Sequence, residues 1–130
     1  MATLDDVRRI VMAMPETTEN RGAQGEVGWR VRDKLLAWER PLRTKEIAEL
    51  GKAAPKGTIL CSRTPDLGAK EALLADPSGI FFTTKHFRGY PMVLIQLDKI
   101  SLPELAEVLL DAWVSRVPKK VSTQYLESLS

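Results

Sequence analysis

The chain has 130 residues, 44% of them apolar and 28% charged, with 19 Lys and Arg against 17 Asp and Glu. This length and composition fit a single globular domain, residues 1–130, and a net charge of +2 is too small to indicate nucleic-acid binding by itself. A single cysteine excludes an intramolecular disulfide, and neither a signal-peptide pattern nor a membrane-length apolar run is present, so we expect a cytoplasmic protein without membrane association.

The N-terminal segment predicts a short helix followed by a loop. Thr3 is expected to cap the helix, with Asp6 as its capping-box partner, and Pro15 to end it. The stretch PETTENRGAQGEVG is rich in turn-forming residues and is expected to be a loop.

Residues 27–40 alternate with period two, which is typical of half-buried strands, and Asp33-Lys34 is expected to turn the chain back into a hairpin. Trp29 then faces Trp38 across the two strands. The predicted core face carries Val27, Trp29, Val31, Leu36 and Trp38, and the other face carries Arg30, Arg32, Leu35, Ala37 and Glu39.

The remaining elements complete an α+β pattern. A helix is expected from Thr44, as its cap, to Leu50, with Gly51 as its stop, and a second helix after Asp66. The runs TILCSR, IFFTTK and MVLIQLD predict strands, with Cys61 as a buried apolar side chain.

A last helix begins at Ser101 with Glu104 as its capping-box partner, and a final turn or two follows through Val121, Tyr125 and Leu129. Its predicted apolar stripe is Leu102, Leu105, Ala106, Leu109, Ala112 and Trp113. We expect an antiparallel sheet of about five strands with an N-terminal and a C-terminal helix packed on one face.

Three segments concentrate basic residues. The stretch TTKHFRGYP lies between two predicted strands and is expected to project as a hairpin; the first hairpin and the segment after the last helix, which includes Arg116, carry the other two groups. Cations of this kind contact phosphates, and interleaved aromatic rings stack on bases, although an ordinary solvated surface would show the same composition. The candidate nucleic-acid-binding residues are Arg30, Arg32, Lys34, Lys85, His86, Arg88, Tyr90, Lys119 and Lys120.

Other chemistry receives less support from the residues. One histidine and one cysteine match no zinc spacing, so we assign no metal, no cofactor and no catalytic residue. An enzyme that uses His86 as acid or base remains an alternative. A module for a small ligand or a protein partner, with Trp38, His86, Phe87 and Tyr90 in one patch, is another.

A long segment of the chain, DLGAKEALLADPSGIFFTTKHFRGYPMVLIQLDKISLPELAEVLLDAWVSRVPKK, resembles the MmcQ/YjbR family of small bacterial proteins, as do MPET, WRVRDKLLAW and ERPL upstream. The most specific part is His86-Phe87-x-Gly89-Tyr90 followed by a strand. The resemblance implies a CyaY-like α+β fold and DNA binding through two projecting hairpins, a double wing. His86 and Tyr90 correspond to recurrent turn residues and Lys34 to a recurrent lysine, but Asp33 stands where many relatives have Gly. We therefore expect a monomeric, non-enzymatic protein whose binding to DNA is weak, salt-sensitive and independent of sequence.

Overall fold

The computed structural model describes residues 1–130, which form one antiparallel sheet and five α-helices. The strands are β1 Thr17–Arg21, β2 Val27–Val31, β3 Lys34–Glu39, β4 Ile59–Arg63, β5 Phe81–Phe82 and β6 Met92–Gln96. The helices are α1 Leu4–Met12, α2 Thr44–Leu50, α3 Leu67–Leu74, α4 Leu102–Val114 and α5 Lys119–Ser128, and short 3-10 turns cover Gly51–Ala53 and Lys85–Phe87. The six strands lie in the order β1-β2-β3-β4-β6-β5. The predicted α+β class with an antiparallel sheet is confirmed.

The main core lies between the sheet and the helices α1 and α4, on what we call the helical face. It contains 20 buried residues, among them the fully buried Trp29 and Trp113. The Asp6 amide donates to Thr3 Oγ1 and the Thr3 amide donates to the Asp6 carboxylate at 2.9 Å, so the predicted capping box of α1 is confirmed.

The caps of the other helices follow the sequence closely but not everywhere. Asp66 caps α3, and Gly51 ends α2 with a φ of 60°. The cap of α2 is Arg43 rather than Thr44, because the Glu46 carboxylate accepts from the Arg43 amide at 2.9 Å. Ser101 caps α4 through the Glu104 amide, but the return bond from the Glu104 side chain is absent.

The C-terminal segment forms a full helix instead of a turn or two. Pro118 is the N-cap of α5, so this proline begins a second helix after α4. Tyr125 of α5 packs edge-on against Trp113, with ring centroids 5.1 Å apart, which places α5 with α4 in the helical layer. Leu102, at the start of the predicted stripe of α4, is exposed.

The segment 17–21, expected to be a loop, is the edge strand β1. Its five residues pair with β2, from Thr17 opposite Val31 to Arg21 opposite Val27. Four of the five are exposed, and the strand has no apolar alternation by which the sequence would reveal it. A short, polar, charged edge strand also protects a sheet against pairing with other chains.

The hairpin β2–β3 turns one residue earlier than expected. Arg32 and Asp33 occupy the two turn positions with φ values of 50° and 65°, and Val31 pairs with Lys34. This earlier turn alone would leave Trp38 on the core face. A bulge between Trp29 and Arg30 shifts the register, so that Trp29 lies opposite Ala37 and Trp38 opposite Gly28. The predicted Trp29–Trp38 pair is therefore wrong, and Trp38 lies on the other face of the sheet with Arg30 and Leu35.

No helix in the protein combines the length and the apolar character that crossing a membrane requires.

Candidate nucleic-acid interface

The face of the sheet opposite the main core carries a second, smaller apolar layer. The register of the strands aligns one residue from each strand in a row across this face: Asn20, Gly28, Trp38, Cys61, Leu94 and Phe82. The buried members Cys61 and Leu94 form a four-residue cluster with Ile59 and Phe87, against which Trp38 packs. Loop 83–91 therefore covers the β4–β6 half of this face through Phe87, and the β1–β3 half is open.

The open half contains a cavity of about 320 Å³ beside Trp38. Gly28, Arg30 and Leu35 line it together with the indole ring. Gly28 provides its depth, since a Cβ there would lie 3.3 Å from Trp38 Cβ and would narrow the space above the strand.

A second cavity of about 340 Å³ lies on the other side of Trp38. Arg40, Arg43, His86 and Phe87 line it, as do two acidic residues, Glu26 and Glu39. Trp38 and Glu26 border both cavities, so the two adjoin, and we call them together the Trp38 groove. The groove joins the first predicted basic hairpin to the loop that contains His86.

Loop 83–91 is compact and firmly held. Its central residues form a 3-10 turn, and Phe87 is buried with only 4% of its surface exposed. Lys70 Nζ reaches the loop from α3 and donates to the carbonyl oxygens of Phe87 at 2.7 Å and Tyr90 at 2.8 Å. The flanking strand β5 has only two residues. Because β5 and β6 pair antiparallel, the predicted hairpin connection is confirmed. The expectation that it projects is wrong, because an apolar side chain and a buried ammonium hold the loop against the sheet.

A buried polar cluster fixes the same loop from the other side. Glu46 accepts two hydrogen bonds from the Arg40 guanidinium, at 2.9 and 3.1 Å, and one from Thr84 Oγ1 at 2.9 Å. The Arg40 guanidinium also lies over the Phe87 ring, 5.2 Å from its centroid. Burial opposes ionisation of Glu46, but the bonds from the Arg43 amide, Arg40 and Thr84 outweigh it and lower the pKa of Glu46.

The residues exposed by this framework are polar and cationic. Lys85, His86, Arg88 and Tyr90 are all exposed, and 57% of Tyr90 is accessible. The His86 ring stands perpendicular to the Phe87 ring, with centroids 4.8 Å apart. Rigid backbone with exposed side chains is a suitable arrangement for binding, because few rotamers need to be ordered.

The nine predicted residues divide into four sets: two line the groove, four border it, one is paired and two lie elsewhere. Arg30 and His86 line the Trp38 groove, while Lys34, Lys85, Arg88 and Tyr90 are exposed on the two segments that border it. Arg32 is exposed at the hairpin turn but is paired with Glu16, so its charge is partly neutralised. Lys119 and Lys120 are exposed at the start of α5, in the helical layer, so the structure does not bring this third basic group to the groove.

Sequence reasoning missed several residues that build the groove. Arg43 and Arg40 lie in ERPLRTK, which carries no periodic signal, and Lys70 resembles an ordinary surface lysine of a short helix. Burial lowers the pKa of Lys70, in keeping with its unusual position for a lysine. The period-two pattern predicts the wrong face for Trp38, because a bulge leaves no local pattern in the sequence.

The single cysteine and the single histidine lie in different surroundings. Cys61 is fully buried, as expected, and burial raises the pKa of its thiol well above the ordinary range, so that the thiolate is disfavoured. The His86 side chain is exposed, and its ring packs against Phe87. No group of three or more His, Cys, Asp or Glu side chains is placed to hold a metal ion.

Comparison with known proteins finds mycobacterial relatives. The chain is 45% identical over 129 residues to "Uncharacterized protein Rv2570" of Mycobacterium tuberculosis, and the alignment covers 97% of each chain. "Uncharacterized protein Mb2600" of Mycobacterium bovis matches with the same identity and coverage. No protein-family model and no solved structure matches the chain.

Proposed function

We propose that this chain, which belongs to the family of the uncharacterized mycobacterial proteins Rv2570 and Mb2600, is a non-enzymatic DNA-binding protein that uses the Trp38 groove. The observation that carries the proposal is that Arg30 from one segment and His86 from the other line the same groove on either side of Trp38. These are the two segments to which the resemblance to the MmcQ/YjbR family assigns DNA contacts, and membership of that family is part of the proposal.

The free cations of this surface support the choice of an anionic ligand. Arg30 donates only to a backbone carbonyl, that of Asp33 at 3.1 Å, and Arg43 forms no ion pair. Arg40, by contrast, is neutralised by Glu46. Phosphate oxygens are natural partners for guanidinium groups without a carboxylate.

Acidic side chains in the groove limit the expected affinity. Glu26 and Glu39 lie among the cations, so the local positive charge is modest. We therefore propose weak binding without sequence preference, in which Arg30, Arg43, Lys34, Lys85 and Arg88 contact phosphates. The proposed interface omits Arg32, because it is paired with Glu16. It also omits Lys119 and Lys120, because they lie in the helical layer at the start of α5.

Anisotropy titrations of a labelled DNA at about 50 and 200 mM salt test the proposal. The double variant Arg30→Gln/Arg43→Gln is expected to weaken binding and to reduce the salt slope by about 0.7–0.9 for each lost phosphate contact. Lys119→Gln/Lys120→Gln is the matched control, because it removes the same charge from the helical layer and is expected to bind like the unaltered protein.

No binding at the lower salt concentration would contradict the proposal. Equal weakening by both double variants would also contradict it, because binding would then depend on net charge and not on the groove.

The second cavity also favours a smaller candidate ligand. Its volume of about 340 Å³ and its lining by Trp38, His86, Phe87 and Arg43 suit an aromatic anion such as a mononucleotide. Adenosine monophosphate, added as a competitor in the same titrations, distinguishes the two: saturable binding of the mononucleotide without any DNA binding would favour the small-ligand function.

A further inference from the structure

Neither segment that borders the groove is shaped to enter a DNA duplex. The β2–β3 hairpin ends in a two-residue turn, and β1 runs alongside it up to the pair Thr17–Val31 next to that turn. Loop 83–91 is drawn toward the sheet by Phe87 and by Lys70. The binding surface is therefore recessed, whereas a wing that reads a duplex must protrude into a groove of the DNA.

The recess has the features of a surface that stacks bases. Trp38 is partly exposed and forms the wall common to two cavities of about 320 and 340 Å³. Each cavity also contains an arginine without an acidic partner: Arg30 in the first and Arg43 in the second. An aromatic side chain between cationic groups is the usual arrangement for single strands, because every base has a face that can stack and every nucleotide has a phosphate.

Two side chains of the groove are suited to the edge of a base. His86 lines the second cavity and the acidic Glu26 borders both cavities. The Glu26 carboxylate lies close enough to the backbone that a Cβ at Gly22 would overlap it. A carboxylate repels phosphate, but it can accept a hydrogen bond from the amino group of a base. Such edges are fully accessible in a single strand, whereas pairing occupies them in a duplex.

We infer that the nucleic acid held by the Trp38 groove is single-stranded, with neighbouring bases on either side of the Trp38 indole and their phosphates on Arg30 and Arg43. This inference rests on the proposed DNA-binding function and narrows its ligand class. The shared chemistry is that of an unpaired oligonucleotide, either DNA or RNA.

Tryptophan fluorescence offers a direct readout of this stacking. The chain has three tryptophans, and Trp29 and Trp113 are both fully buried on the helical face. Only Trp38 lies where a base can reach it, so a stacked base is expected to quench its emission and leave the other two unchanged.

The experiment titrates the protein with an eight-nucleotide oligo(dT), the corresponding oligo(U) and a longer, GC-rich blunt duplex that stays paired at low salt. Anisotropy of the labelled nucleic acid gives affinity, and intrinsic fluorescence reports stacking. Both single strands are expected to bind about tenfold or more tightly than the duplex and to quench emission. The pair of single strands shows whether the 2′-hydroxyl matters: a preference for one of them identifies the source of the ligand and supports the inference.

Two variants separate stacking from simple charge attraction. Trp38→Phe keeps an aromatic ring against Phe87, and it is expected to lose the quenching and to weaken single-strand binding about fivefold or more. Thymine and uracil have no amino group that the Glu26 carboxylate could accept a hydrogen bond from. With these probes Glu26→Gln removes only a negative charge, so it is expected to strengthen binding to all three nucleic acids while the quenching remains.

The outcomes distinguish this inference from the proposed function. Duplex binding equal to or tighter than single-strand binding, or single-strand binding without quenching of Trp38, would overturn the inference and leave DNA binding intact. The absence of binding to all three nucleic acids would overturn both.

Discussion

Buried charged residues are the most informative single positions in this protein. Only 6% of Arg40 and 4% of Glu46 is exposed to solvent. The Arg40 guanidinium and the Thr84 hydroxyl both donate hydrogen bonds to the Glu46 carboxylate. Such a pair gains little over apolar residues, since desolvation offsets the attraction. The ion pair instead fixes positions: it connects the end of β3, helix α2 and loop 83–91 at the border of the Trp38 groove.

Replacing Glu46 is expected to destabilise the fold strongly. Glu46→Ala leaves the Arg40 guanidinium buried without a counter-charge, at an expected cost of about 3–5 kcal/mol in the free energy of unfolding. Urea denaturation at neutral pH measures this cost. Glu127→Gln, which removes an exposed and unpaired carboxylate from α5, is the control and is expected to have little effect.

The same carboxylate gives stability a defined dependence on pH. The pKa of Glu46 is lowered in the folded state from its usual 4.5. The ionised carboxylate therefore contributes fully to the free energy of unfolding above about pH 4.5, and this contribution is lost as the pH falls through the folded pKa. The stability difference between the unaltered protein and Glu46→Gln is therefore expected to shrink below about pH 4.5. A difference that stays constant between about pH 7 and pH 3 would contradict the assignment.

At the scale of elements, the β2–β3 hairpin shows how a turn and a bulge together position a functional side chain. The turn requires positive φ at both Arg32 and Asp33, which ordinary residues adopt at a cost. Arg32 is supported there by its pairing with Glu16, the residue that precedes β1. The bulge that follows transfers Trp38 from the core face to the groove.

Asp33→Gly is expected to stabilise the hairpin. Glycine adopts a φ of 65° without a Cβ clash, so we expect an increase of about 0.5–1 kcal/mol in the free energy of unfolding. Thermal denaturation followed by circular dichroism measures the change. Lys34→Gly is the matched control: Lys34 belongs to β3, where glycine weakens a strand, so this variant is expected to be less stable. Destabilisation by Asp33→Gly would show that the Asp33 side chain supports the turn.

At the scale of the whole molecule, one sheet separates two apolar layers of unequal size. The helical face holds 20 buried residues and the groove face holds four. Adjacent residues of the central strands alternate between them, with Leu60 and Val93 in the large cluster and Cys61 and Leu94 in the small one. The two layers share β4 and β6, so neither can lose its packing without disturbing strands that support the other.

We therefore expect the protein to unfold in one cooperative transition. Leu109→Ala in the large cluster is expected to cost about 2–5 kcal/mol, and Phe87→Ala in the small cluster about 3–5 kcal/mol. Far-ultraviolet circular dichroism and tryptophan fluorescence should give coincident unfolding curves for both variants. Separate transitions in the Phe87→Ala variant would show instead that the groove face unfolds independently of the main core.

Features that depend on neighbours along the chain can be predicted from the residues alone. The capping box of Thr3 and Asp6, the stop at Gly51 and the cap at Asp66 all act within a few residues, and they are found as expected. The α+β class follows in the same way, because the periods of helices and strands are local properties.

The parts that form the candidate site depend on contacts between residues far apart in the chain. β1 exists because β2 offers it backbone hydrogen bonds, not because of its own polar sequence. The face that Trp38 occupies depends on a bulge, since a shift of one residue in register moves a side chain to the opposite face of a sheet. Lys70 holds loop 83–91 through hydrogen bonds to the carbonyl oxygens of Phe87 and Tyr90, and Arg40 lies over the Phe87 ring. These partners are distant in the chain, so no local sequence pattern predicts the contacts. The groove is thus a product of long-range pairing and packing, which residue spacing along the chain does not specify.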